Sequence, residues 1–87
     1  MTEPEIRSNV LKRLGDIAPE ADTAQLMPGV AIRDQLDIDS MDFLNFMIAL
    51  HKEFRIEIPE RDYSQLQTLD GCVAYVERAV QRQAKSH

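Results

Sequence analysis

From Ser40 to Phe54 the apolar residues divide into two stripes. Phe43, Phe46, Met47, Leu50 and Phe54 recur at i, i+3, i+4, i+7 and i+11, the spacing of a helix that turns one face to a core. Met41, Leu44 and Ile48 fall on another face, ~130° away at ~100° per residue. Asp39 is a good N-cap for this helix, because its carboxylate can accept from the orphan N–H groups of the first turn. Asp42 adds negative charge where the helix dipole favours it. Ser40 therefore takes the first helical position. One stripe can serve the core; the other needs its own explanation.

The rest of the chain predicts two more long helices and one short one. Thr2-Glu3-Pro4-Glu5 reads as a capping box, with Thr2 as N-cap, Glu5 three residues later and Pro4 in the first turn, where its missing N–H costs nothing. Ile6, Val10 and Leu14 form the stripe of this first helix, flanked by Leu11 and Ile17, and Gly15 is its expected stop. Because Met1 precedes a formed cap with no linker residues, a freestanding chain is expected. From Ala18 to Ile38 periodicity fails, and Pro19, Asp22, Pro28 and Gly29 mark turns. A loop of about twenty residues is unusual in a compact domain, so it is pinned or holds a short helical turn, with Leu26, Val30, Ile32 and Leu36 as the pins.

Beyond the second helix, Arg55-Ile56-Glu57-Ile58 alternates but is too short and isolated to be a useful strand, and Ile58 is the expected core plug. Glu60 to Ser64 predicts one helical turn with Tyr63 inward. Thr68 then caps a last helix that buries Leu69, Cys72, Val73, Val76 and Val80. The polar stretch Gln81 to His87 reads as a frayed tail. The expected fold class is all-α: a small antiparallel bundle of three long helices and one short one, in a single domain spanning residues 1–87 and ordered from about residue 3 to 80.

With 87 residues the chain can bury only ~60–65 % of the surface that it exposes when unfolded, so one compact core is expected. Its 44 % hydrophobic residues exclude disorder. Fifteen acids against ten bases give a net charge of −5, which argues against nucleic acid and anionic membranes and favours basic partner surfaces. The single Cys72 cannot form an internal disulfide, and no apolar run approaches a membrane span of ~18 residues or resembles a signal h-region. The cytosol is the expected compartment, and a monomer the expected state.

At Gln35-Leu36-Asp37-Ile38-Asp39-Ser40-Met41-Asp42, followed by Ala49-Leu50, Glu53-Phe54 and Glu57-Ile58-Pro59, the chain resembles the acyl carrier proteins. The resemblance spans nearly the whole chain and is closest from Leu36 to Val76. It implies that Ser40, in the position of an Asp-Ser-Leu serine, carries a covalent 4′-phosphopantetheine arm derived from coenzyme A, with Asp39 beside it. It also implies a non-enzymatic carrier. Its partners would be a phosphopantetheinyl transferase, an acyl-loading ligase or acyltransferase, and downstream synthase enzymes. Met41, Asp42, Leu44, Ile48 and Glu57 then become partner-facing residues. Family members commonly have glycine two residues before the Asp-Ser pair, where this chain has Asp37. Asn45, His51 and Lys52 stand at positions that are often Glu, which points to a specialised fatty-acid, polyketide or lipid pathway.

Taken alone, Ser40 is also a common kind of helix-start residue. Attachment there makes chemical sense, since free N–H groups and the dipole tolerate a phosphodiester. A catalytic serine would need a base within reach and the Gly-x-Ser-x-Gly turn. That turn is missing; His51 lies three turns away along the helix and reads as a solvated surface residue, while His87 is terminal. Asp34, Asp37, Asp39 and Asp42 fail as an EF-hand, because Met41 falls at the fifth position, Asp42 replaces the turn glycine and Ile48 stands at the twelfth. No metal site is expected. Met41, Leu44 and Ile48 either pack against the first helix or the loop, or form a recognition surface. Phe43 and Phe46 are core residues that would restrict any acyl tunnel. Cys72 is a buried, inert thiol. An aminoacyl or peptidyl carrier, or an unmodified helical adaptor using only its acidic face, remain the alternatives.

Overall fold

The computed structural model describes residues 1–84. Its helices are α1 (Glu3–Ile17), α2 (Ile32–Gln35), α3 (Ser40–Phe54) and α4 (Leu69–Ala84), with 3₁₀ segments at Thr23–Gln25 and Glu60–Leu66. No strand forms among the described residues; one isolated bridge joins Ala31 to Thr68. The result is the expected all-α bundle of three long helices and one short one: the turn expected from Glu60 to Ser64 forms as the 3₁₀ helix Glu60–Leu66, and α2 is the helical turn held within the loop. α1 packs against both α3 and α4, and the 3₁₀ helix Glu60–Leu66 lies on α4.

Each long helix starts where a local cap dictates. Thr2 and Glu5 form a reciprocal capping box on α1, with the Thr2 hydroxyl accepting from Glu5 N–H and the Glu5 carboxylate accepting from Thr2 N–H. Accepting from Thr2 also lowers the pKa of the Glu5 carboxyl. Thr68 Oγ1 accepts from Gly71 N–H at 2.9 Å and opens α4. Gly71 must be glycine for a steric reason, because a Cβ there would collide with the Gln65 carbonyl where the 3₁₀ helix crosses α4.

Ile6, Val10 and Leu14 of α1, the full stripe Phe43, Phe46, Met47, Leu50 and Phe54 of α3, and Leu69, Cys72, Val73 and Val76 of α4 form one buried cluster. Val80 packs against it half-buried. Burial pushes the Cys72 thiol up to about 12, and Sγ donates to the Leu66 carbonyl at 3.3 Å. The thiol is inert, as its inward position implies.

Several expectations need correction. Gly15 does not stop α1; no glycine has positive φ, and the helix runs on to Ile17 and closes with Ala18 N–H on Leu14 O. Of the four loop pins, Ile32 and Leu26 are buried and Leu36 is half-buried, but Val30 is exposed. Backbone bonds hold the loop instead: Ile32 N–H to Gln67 O at 2.7 Å and Asp70 N–H to Pro28 O at 3.1 Å tie it to the start of α4. The core plug after α3 is Ile56, 1 % exposed, while Ile58 only flanks the cluster. Just before the plug, Arg55 takes a left-handed conformation (φ 55°) at the α3 C-cap, a place where glycine is commoner. His51 is exposed but not merely solvated, for its Nδ1 lies 2.6 Å from the Ile56 carbonyl and braces that turn. Asp37 has no positive φ, so the glycine expected there is not needed for backbone reasons. Gln81 to Gln83, read as tail, belong to α4; residues 85–87 lie outside the described residues.

Candidate functional site

Ser40 is the first residue of α3 and is exposed. Its position is set by a second reciprocal capping box. The Asp39 carboxylate accepts from Asp42 N–H at 2.8 Å, and the Asp42 carboxylate accepts from Asp39 N–H at 3.2 Å. The first intrahelical bond runs from Phe43 N–H to Asp39 O. The N–H groups of Ser40 and Met41 therefore precede the ladder, at the positive end of the helix dipole. Behind this turn Ile38 and Phe43 are buried, so the backbone at Ser40 is anchored on both sides of an exposed hydroxyl.

The short helix α2 brings in a residue that the sequence pattern did not single out. An Arg33 guanidinium N–H donates to Ser40 Oγ at 3.3 Å. Sequence holds one signal for it: Arg33 is a lone cation among Asp34, Asp37, Asp39 and Asp42. Gln35 was also missed. Its side-chain amide accepts from Met27 N–H at 2.7 Å and donates to the carbonyls of Met27 and Val30, both at 2.9 Å, closing the turn that precedes α2.

Met41, Leu44 and Ile48 are exposed to 62 %, 38 % and 40 %, on the face of α3 turned away from the core. The reading that would pack them on α1 or the loop does not hold. Asp42 sits at the start of this face with its carboxylate already engaged in the cap, and Glu57 is exposed on the segment that follows α3. Beside it, Asp62 accepts from the Tyr75 hydroxyl at 2.7 Å. That hydroxyl also reaches the Glu57 carbonyl at 3.2 Å. Burial, and then the Asp62 carboxylate, push the Tyr75 phenol up to about 12.

What the arrangement offers chemically is an accessible primary hydroxyl on a rigid turn. The described side chains in hydrogen-bond contact with Ser40 are limited to Arg33, a donor that cannot act as a base. Among the described residues no three His, Cys, Asp or Glu side chains converge to hold a metal ion, and no helix is long and apolar enough to cross a membrane.

Comparison with known proteins agrees with this geometry. The family model described as "Phosphopantetheine attachment site" matches residues 8–76. An acyl carrier protein from Bdellovibrio bacteriovorus is 27 % identical over 75 residues, covering 86 % of this chain and 90 % of that protein. One from Micrococcus luteus is 28 % identical over 76 residues, covering 84 % and 94 %. Among solved structures, that of an acyl carrier protein from Enterococcus faecalis, described as having high thermal stability, superposes with a TM-score of 0.71 at 26 % identity, covering 91 % of this chain and 99 % of that one. A match from the first helix into the last, around the turn that displays Ser40, shows that the chain belongs to the acyl carrier protein family, non-catalytic carriers whose cofactor is 4′-phosphopantetheine.

Proposed function

We propose that Ser40 is the attachment residue and that the chain presents acyl groups, held as thioesters, to the enzymes of a specialised fatty-acid, polyketide or lipid pathway. The observation that carries this reading is the exposed Ser40 hydroxyl at the first position of α3, fixed by the Asp39–Asp42 capping box and anchored from behind by Ile38 and Phe43. The residues suit the group. A phosphodiester on Oγ would meet the two N–H groups ahead of the helical ladder and the Arg33 guanidinium at an exposed position.

In the transfer, Ser40 Oγ forms a bond to the phosphorus that bears the pantetheine, the pyrophosphate bond of coenzyme A breaks, and adenosine 3′,5′-bisphosphate leaves. The hydroxyl proton passes to a base of the transferase. The arm, once in place, contributes the thiol that holds cargo. Asp39 contributes by holding the turn, and the chain's remaining task is recognition. Met41, Leu44 and Ile48 supply apolar contact, with Asp42 and Glu57 supplying negative charge toward basic enzyme surfaces. Such pairing is weak and salt-dependent, which lets a monomeric cytosolic carrier move between the transferase, a loading ligase or acyltransferase, and later enzymes. Fewer acids along α3 than the family often has, with Asn45, His51 and Lys52 in their place, support a specialised set of partners.

Intact-protein mass after incubation with coenzyme A, magnesium and a broad-specificity phosphopantetheinyl transferase tests the assignment. The expected outcome is one added phosphopantetheine on the wild type and none on Ser40→Ala. Addition to Ser40→Ala would place the site elsewhere. Native protein that stays unmodified in its own cells would replace the carrier with an unmodified adaptor.

A further inference from the structure

Two other arginines of the chain are spent on carboxylates, while Arg78 donates to the Gln65 side-chain oxygen at 3.0 Å. Arg7 bridges Glu3 at 2.8 Å and Asp70 at 3.0 Å, and Arg13 lies 3.4 Å from Asp16 and 3.6 Å from Glu53. Arg33 is different. Four aspartates stand within nine residues of it in sequence, yet among the described residues none of them comes within ion-pair distance, and its guanidinium rests instead on the neutral Ser40 hydroxyl. An exposed cation gains little from a hydroxyl and more from an anion, so this placement matches a partner that arrives later.

The electrostatics of the turn favour such a cation. A helix N-terminus offers roughly half a positive charge. Here the Asp39 and Asp42 carboxylates have already taken the Asp42 and Asp39 N–H groups and bring two negative charges to the same turn. A phosphodiester on Ser40 adds a third. The dipole cannot balance that sum, and Arg33 is the described cation in contact with the atom to be esterified.

We propose that Arg33 is the phosphodiester clamp of this carrier: it moves from the Ser40 hydroxyl to the non-bridging phosphate oxygens and fixes the base of the arm against α2. Those oxygens stand two bonds from Oγ, so a guanidinium already 3.3 Å from Oγ reaches them by a small side-chain rotation. The planar fork suits a two-oxygen acceptor, whereas lysine would supply only a point charge. The clamp rests on the reading of Ser40 as the attachment residue. Its consequence is directional: the base of the arm is held on the α2 side of Ser40.

The test compares the full-length wild type, Arg33→Ala and Arg33→Lys, each before and after conversion with coenzyme A and the transferase. Intact mass comes first; a wild type that gains no group, either here or in its own cells, would overturn the Ser40 reading and the clamp with it, whereas the readouts that follow can overturn the clamp alone. In the converted wild type, exchange of the Arg33 Nε–H with water should slow about two- to fivefold relative to the unmodified chain, the range of an exposed ion pair, and the slowing should fade at high salt. The phosphorus resonance should shift in Arg33→Ala and by less in Arg33→Lys. Equal Arg33 exchange with and without the arm would overturn the clamp, and this readout needs no variant to fold. A phosphorus resonance identical in wild type and Arg33→Ala would overturn it as well.

Discussion

On one face of α3, Phe46 and Leu50 lose all contact with solvent, while around the same helix Leu44 and Ile48 keep more than a third of their surface in water. The residue types are nearly the same and the helix is continuous. What differs is the neighbour: α1 packs on the first face, while among the described residues the second stays largely exposed. Apolar character alone therefore does not assign a role. The buried face stabilises the fold through area removed from water and close packing. The open face leaves a stripe beside Ser40 whose burial is available to a partner, which is where an exposed apolar surface has its use.

The sharpest way to break this contrast is to truncate both faces in turn. Phe46→Ala deletes a ring that is fully buried and stacks edge-to-face on Phe43 at 6.4 Å. We expect a loss of about 3–5 kcal/mol in urea unfolding, a large share of what so small a domain has. A loss below ~1 kcal/mol would mean that this face is not the core's main support.

A second contrast concerns the ionisable groups on the buried side. Burial raises the Cys72 thiol from 9.0 to about 12 and the Tyr75 phenol from 10.0 to about 12. Both are acids with folded values above the unfolded ones, so the unfolded chain releases their protons first. Stability from these groups is then present below pH ~9 and falls as the pH rises toward ~12. Melting temperatures measured from pH 8 to 11 should decline, and less steeply in Cys72→Ala once its own starting stability is subtracted. Equal slopes would show the thiol to be solvated.

The smallest effect on stability should come from the open face. Leu44→Ala and Ile48→Ala should each shift unfolding by no more than about 0.5 kcal/mol. Combined with Met41→Ala they should weaken binding to the transferase by roughly tenfold, as loss of central apolar contacts does elsewhere. If unfolding moved as far as in Phe46→Ala, the two faces would not be distinct.

How far each feature could be read follows the reach of the interaction behind it. Asp39 capping α3, Thr2 with Glu5 capping α1, and Thr68 capping α4 involve partners three residues apart, so local chemistry fixes these helix starts. The 3.6-residue period likewise assigned every buried position of α3 and exposed Ser40 at its head. The period also separated the two stripes, without saying which neighbour each would meet. Arg33 reaching Ser40, Tyr75 reaching Asp62, and the Pro28 and Gln67 carbonyls holding the loop to α4 depend on distances that no periodicity encodes. Burial of Ile56 in place of Ile58 goes with the turn that ends α3, where Arg55 is left-handed and His51 contacts the Ile56 carbonyl. Local sequence thus determined the helices and the residue they display, because caps and stripes act within a few bonds. Tertiary packing decided which cation stands beside Ser40 and which apolar face stays open, because both depend on where separate helices come to rest against one another.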